Sequence, residues 1–248
     1  MAETGIAGLT GSPWLLAAVL AIVFFAAIVQ FGLGMGFGLT AAPLLAILDP
    51  ELVPASTLFI GLATSLIGAT REREAIVWRE VWLGAVGRGL GIVLATAILA
   101  GMTDRKTFSL VFGLMVALAV VISVSGWRLP FSRGGLFSMA TVSGVMGTIT
   151  SVGAPPLAIV YQDRPAAQAR PTLAAFFAVG CLMSLIGLYA SGWAHLRDAE
   201  LAGVMVPGMI AGYFASRALK GRFDRRYRPA LLSVTAFAAL VLVIRGLS

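Results

Sequence analysis

Charge is scarce in this sequence, and the places where it is missing narrow the function. Charged residues make up 12% of the 248 and apolar residues 59%, against about 25% and 45–50% in soluble domains. No Asp or Glu falls within the long apolar runs, so no carboxylate proton relay is visible inside a membrane. A single cysteine, Cys181, excludes an internal disulfide, and a single histidine, His195, leaves no Cys/His cluster for a metal. An intramembrane serine protease would need a histidine base among its spans; Ser143-Gly144 offers a serine, but His195 lies in a polar stretch. The polar stretches are too short for a soluble domain. The start, MAETGIAGLTGSPW, lacks the basic leader of a cleaved signal peptide. The net charge of +7 is spread over short loops, where it sets topology and is no nucleic-acid signal. No cofactor is expected. The expected partners are membrane lipid and a small anion.

What remains reads as an all-α integral membrane protein. The first apolar segment, Trp14 to Leu48, is too long for one span of about 20 residues and too short for two. Leu52–Thr70, Val81–Gly101 and Thr107–Ser125 follow as spans. The second half repeats the order, with Gly135–Tyr161, Pro171–Ala190, Leu201–Leu219 and Pro229–Leu247. Pro171 is expected to open its helix, where a missing N–H costs little. The five tryptophans, Trp14, Trp78, Trp82, Trp127 and Trp193, sit near span ends as an aromatic belt.

The long first segment of each half is interrupted. Gln30 to Leu44 reads QFGLGMGFGLTAAPL and Ser143 to Leu157 reads SGVMGTITSVGAPPL. A helix does not run smoothly through either, and open backbone at membrane depth must be buried in protein or line a cavity. A shift of 113 lays Gly34 on Gly147, Ala41 on Ala154 and Pro43 on Pro156; a shift of 121 lays Gly87 on Gly208 and Gly91 on Gly212. The ordered drift predicts two homologous repeats, residues 1–126 and 127–248, each a broken helix followed by three spans. Paired broken helices of this kind point to a transporter's binding site.

Arginine placement arbitrates the topology. If every segment crosses, Lys and Arg divide ten against seven between the two sides. If each broken segment is a re-entrant hairpin, one side holds Arg71, Arg73, Arg79, Arg128, Arg133, Arg164, Arg170 and the six from Arg217 to Arg228. The other side then keeps Arg105, Lys106, Arg197 and Arg245, a division of thirteen against four. The positive-inside rule favours the hairpins. An odd number of crossings per half makes the repeats inverted. The length of the arm from Trp14 to Phe31 leaves a full crossing open there.

A helix that restarts inside the membrane offers unpaired N–H groups and a positive dipole end, a ready anion site. The restarts are expected near Leu39-Thr40 and Val152-Gly153. Candidate ligand-lining residues are Gly34, Gly36, Gly38 and Thr40 in the first break and Gly147, Thr150, Ser151 and Gly153 in the second. Gln30 either lines the cavity or bonds neighbouring backbone. Arg88, the one charge well inside a span, either serves the site or snorkels to the interface.

At these residues the chain resembles the sulfite exporter TauE/SafE family, also called the four-toluene sulfonate uptake permease family. The resemblance spans essentially the whole chain. It rests on the glycine-rich stretch ending TAAPLL, the second stretch ending GAPPL, the run Ala169-Arg170-Pro171-Thr172-Leu173, and the tryptophan loops. It implies a multi-pass carrier of the bacterial inner membrane that moves sulfite, organosulfonates or related anions and is not an enzyme. An anion channel, a permease for another small anion and an intramembrane enzyme are the alternatives.

Overall fold

The computed structural model describes residues 11–33, 35–102, 104–218 and 227–247. Among them are ten α-helices and no strand: α1 (Pro13–Leu33), α2 (Phe37–Leu48), α3 (Ala55–Arg71), α4 (Trp78–Ala100), α5 (Arg105–Val124), α6 (Arg133–Thr150), α7 (Ala154–Tyr161), α8 (Ala166–Ala190), α9 (Leu196–Ala218) and α10 (Tyr227–Leu247). Among the described residues, six stretches, in α1, α3, α4, α5, α8 and α9, are long and apolar enough to cross a membrane. Large apolar side chains such as Phe25, Val93, Val121 and Phe237 face outward, as a lipid-facing surface requires.

Glycine sets how the helices meet. On α4, Gly87 and Gly91 lie against the Phe137 and Thr141 carbonyls of α6, where a Cβ would stand 2.5 and 2.1 Å from the oxygens. On α9, Gly208 and Gly212 lie against the Leu20 and Phe24 carbonyls of α1, at 2.7 and 2.5 Å. Small residues let backbones approach this closely, and the order of contacts makes each pair parallel. These are the glycines that the shift of 121 lays on one another. By the same reasoning α5 runs antiparallel to α10, with Gly113 against Val243 and Gly246 against Leu110. So does α3 against α8, with Gly61 beside Cys181 and Gly68 beside Ala174.

Both broken segments fold back on themselves. The Tyr161 hydroxyl, at the end of α7, donates to Glu80 Oε2 at 2.8 Å. Arg164 pairs with the other oxygen of Glu80, and Gln162 Nε2 donates to the Trp127 carbonyl at 3.2 Å. Glu80 lies in the first turn of α4, and Trp127 just precedes α6. Hence α7 returns to the end of the bundle from which α6 departs. Likewise Glu51, just past α2, pairs with Arg197 in the first turn of α9. Since α9 runs parallel to α1, α2 returns to where α1 began. The legs are unequal. At 1.5 Å per residue, α1 and α6 reach about 31 and 27 Å and α2 and α7 about 18 and 12 Å.

Several boundaries differ from expectation. Pro171 does not open a helix: α8 begins at Ala166 behind Pro165, and Pro171 lies inside it. The first turns of α8, from Ala166 to Arg170, are too polar to be recognised as part of an apolar span. The stretch from Ser191 to Glu200 is a loop only to His195, for the same reason. The Trp193 ring stacks on Phe108 with centroids 5.8 Å apart. Outside the spans, Asp104 caps α5, accepting from the Thr107 N–H at 2.6 Å and its hydroxyl at 2.7 Å. The backbone bond above all holds its carboxyl below the usual carboxylate range.

Candidate anion-binding site

The two hairpin tips meet at the centre of the bundle. Gly36 turns the chain into α2 at φ 113°, a conformation that favours glycine. Ser151 makes the corresponding turn at φ 63° without being glycine. A Cβ on Gly38 would stand 1.8 Å from the Ser151 carbonyl oxygen, so Gly38 is small because one tip rests on the other.

The helices restart at Phe37 and Ala154. The first restart is earlier than expected, because α2 has an additional turn before its proline. The N–H groups of Gly38 and Leu39 lack intrahelical acceptors and belong to residues that line a cavity. The second restart is poorer in donors. Pro155 and Pro156 occupy the first turn of α7 and have no N–H.

Most of the expected hydroxyl donors are engaged within the protein. Gln30 caps α2, its Oε1 accepting from the Phe37 N–H at 3.0 Å. The Thr40 hydroxyl donates to the Gly36 carbonyl at 3.0 Å. Thr150 donates to the Met146 carbonyl at 2.6 Å and accepts from the Val152 N–H at 3.1 Å. Ser151 donates to the Pro54 carbonyl at 2.9 Å. Gln30, Gly36, Gly38, Ser151 and Gly153 line the cavity, whereas Thr40, Gly147 and Thr150 do not. Gly34 lies outside the described residues.

Arg88 is the charge at the centre. It is 1% exposed and does not snorkel: its guanidinium turns into the bundle. Nη1 donates to Ser143 Oγ at 3.2 Å, and Ser143 donates to the Gly153 carbonyl at 2.7 Å. Nη2 reaches Ser184 Oγ at 3.5 Å, and Ser184 is bonded to Thr148 at 2.9 Å. Nε has no partner. The rings of Phe176 and Phe177 lie 5.5 and 5.9 Å from the guanidinium carbon, within cation–π range. Gly147, Gly153 and Gly180 make the room: a Cβ on each would stand 3.0, 3.1 and 2.2 Å from a guanidinium nitrogen. No carboxylate among the described residues pairs with Arg88.

Arg88, both tips, Thr57, Gly61 and Ser65 of α3, and Phe177 and Cys181 of α8 enclose a cavity of about 40 Å³. At about 10–15 Å³ per water-sized probe that is room for roughly three waters or one compact anion. The Ser65 hydroxyl makes no hydrogen bond among the described residues. Sequence reasoning missed Ser65, Cys181 and Ser184. The signal was present: Thr57, Gly61 and Ser65, and Phe177, Cys181 and Ser184, recur at helical spacing on otherwise apolar helices. Beyond the tips, a wider vestibule of about 610 Å³ is lined by Glu51, Pro54, Asp104, Trp193, His195 and Asp198, among others. Pro54 lines the vestibule and Ser151 lines the cavity, so their hydrogen bond stands between the two spaces.

Apolar helices facing outward, hairpins meeting tip to tip and a buried cation at their junction define a multi-pass α-helical membrane protein. The sulfite exporter TauE/SafE family matches residues 19–242, and the chain belongs to that family. Its members are membrane transporters of the sulfite and sulfonate exporter or permease kind. No curated protein and no solved structure matches the chain.

Proposed function

We propose that this protein carries a small sulfur oxyanion, sulfite or an organosulfonate, across a bacterial inner membrane by alternating access of two inverted repeats, residues 1–126 and 127–248. The observation that carries the reading is Arg88, a buried cation with no carboxylate partner among the described residues, placed where both hairpin tips meet. Its counter-ion is the transported anion. Gly38 and Leu39 add backbone N–H donors, and Ser65 adds a free hydroxyl. Gln30, Thr40, Thr150, Ser151 and Gly153 shape the pocket, while Gly147 backs the guanidinium.

Inverted repeats are supported by like-for-like packing in the two halves. A two-fold axis in the membrane plane pairs each element with an antiparallel copy, and α3 with α8 and α5 with α10 are such pairs. The arginine-rich end of the bundle, with Arg71, Arg79, Arg128, Arg133, Arg164 and Arg170, faces the cytoplasm on this reading. The test is sulfite binding and saturable flux by purified protein. Arg88→Gln should weaken sulfite binding by about 1.5–3 kcal/mol, the worth of hydrogen bonds to charged groups. Unchanged affinity would place the anion elsewhere.

A further inference from the structure

Arg88 also bears on what the carrier can do when empty. Alternating access passes through a state closed to both sides. In the described structure the guanidinium is surrounded by serine hydroxyls, two aromatic faces, glycine backbone and the Cys181 thiol, with no carboxylate among the described residues beside it. Nε lies against Gly180 without a hydrogen-bond partner among the described residues. Among the described residues, Glu51, Glu80 and Asp163 are each joined to another arginine. A buried charge without a counter-charge is costly. While the cavity is open to one side, water and dissolved ions screen Arg88; in the closed state only a bound anion can.

We infer that the protein is an obligate anion exchanger: it changes face only with an anion on Arg88, so each sulfur oxyanion moved one way is matched by a small anion moved the other. This inference rests on the function proposed above. The site supplies one cation, so a monoanion leaves it neutral. The favoured cargo is therefore bisulfite, and the counter-substrate is a compact monoanion of the size of chloride.

The experiment uses the full chain in vesicles loaded with sulfite, with voltage clamped by potassium and valinomycin so that charge build-up limits neither arm. One external medium contains chloride and the other gluconate, which is too large for the cavity. Sulfite efflux into chloride should exceed efflux into gluconate by about tenfold or more, given the cost of a bare buried charge. External sulfite should replace chloride. Arg88→Gln, with no charge to balance, should lose the dependence on external anion even where its flux is slower. Equal wild-type efflux into both media overturns exchange and leaves sulfite transport standing. No protein-dependent efflux into any medium, external sulfite included, overturns both. The wild-type comparison decides the matter even if the variant does not fold.

Discussion

Two glycines of the central cavity have opposite sensitivities. Gly38 touches the backbone of the other tip, whereas a Cβ on Gly61 would meet only the Cys181 sulfur at 3.5 Å, an ordinary contact. Gly38→Ala should cost at least about 1–3 kcal/mol through overpacking. Gly61→Ala should leave thermal stability nearly unchanged and reduce transport by filling the cavity. Melting and flux measured on both variants check this; equal stability would mean that the tips do not rest on each other. Ser65→Ala should likewise spare stability and weaken anion binding by about 0.5–1.5 kcal/mol. At this scale the sequence was only partly legible. Glycines and hydroxyls clustered in QFGLGMGFGLTAAPL and SGVMGTITSVGAPPL marked where the two tips meet, yet which of them line the cavity depended on partners distant in sequence. Thr150 and Ser151 look alike on the page. Only the fold shows that both hydroxyls are taken, by Met146 with Val152 and by Pro54.

Each hairpin is tied down by an ion pair, and the two pairs are charge-reversed counterparts. Arg164 follows α7 and holds Glu80 of α4; Glu51 follows α2 and holds Arg197 of α9. The shift of 113 that aligns the breaks lays Glu51 on Arg164. The pairs lie at opposite ends of the bundle, so the proposed alternating access would loosen one pair at a time. Either charge reversal alone, Glu80→Arg or Arg164→Glu, should slow transport, because like charges then face each other beside Tyr161. The double reversal should recover much of the loss, with a coupling of about 1 kcal/mol or more between partly buried partners. Flux through the four proteins measures that coupling, and additive effects would mean that the pair does not act as a clasp. No local pattern announced these pairs, since their members lie 84 and 146 residues apart in sequence.

The whole chain was legible as a membrane protein from its scarcity of charge, and the ten helices of the described residues fall where the apolar segments do. The ends that proline and polar first turns conceal, at Ala166 and Leu196, were not legible. Arginine counts favoured a fold-back of each broken segment, with a full crossing left open for the first, and the contacts of Tyr161 and Glu51 show both folding back. Ser132 caps α6 at the arginine-rich end, and Asp104 caps α5 at the other. In a background with Cys181 replaced, single cysteines at Ser132 and Asp104 should react with an impermeant reagent from opposite sides, Ser132 from the cytoplasm. Labelling of Ser132 from outside and Asp104 from inside would support crossing by every segment, and the hairpin topology would then fail.

The burial of Arg88 also shapes how the protein is made. Synthesis runs from the N-terminus, and α4 leaves the ribosome before Ser143, Phe176, Phe177 and Ser184 exist. For that interval its guanidinium has none of the neighbours that enclose it in the finished fold. A lone arginine at the centre of a helix carries an insertion cost of about 2.5–3.5 kcal/mol. That cost is relieved only when the second half arrives to cover it. A chain cut short after residue 126 carries the mark of its own incompleteness in the middle of the bilayer, where membrane quality control can find it.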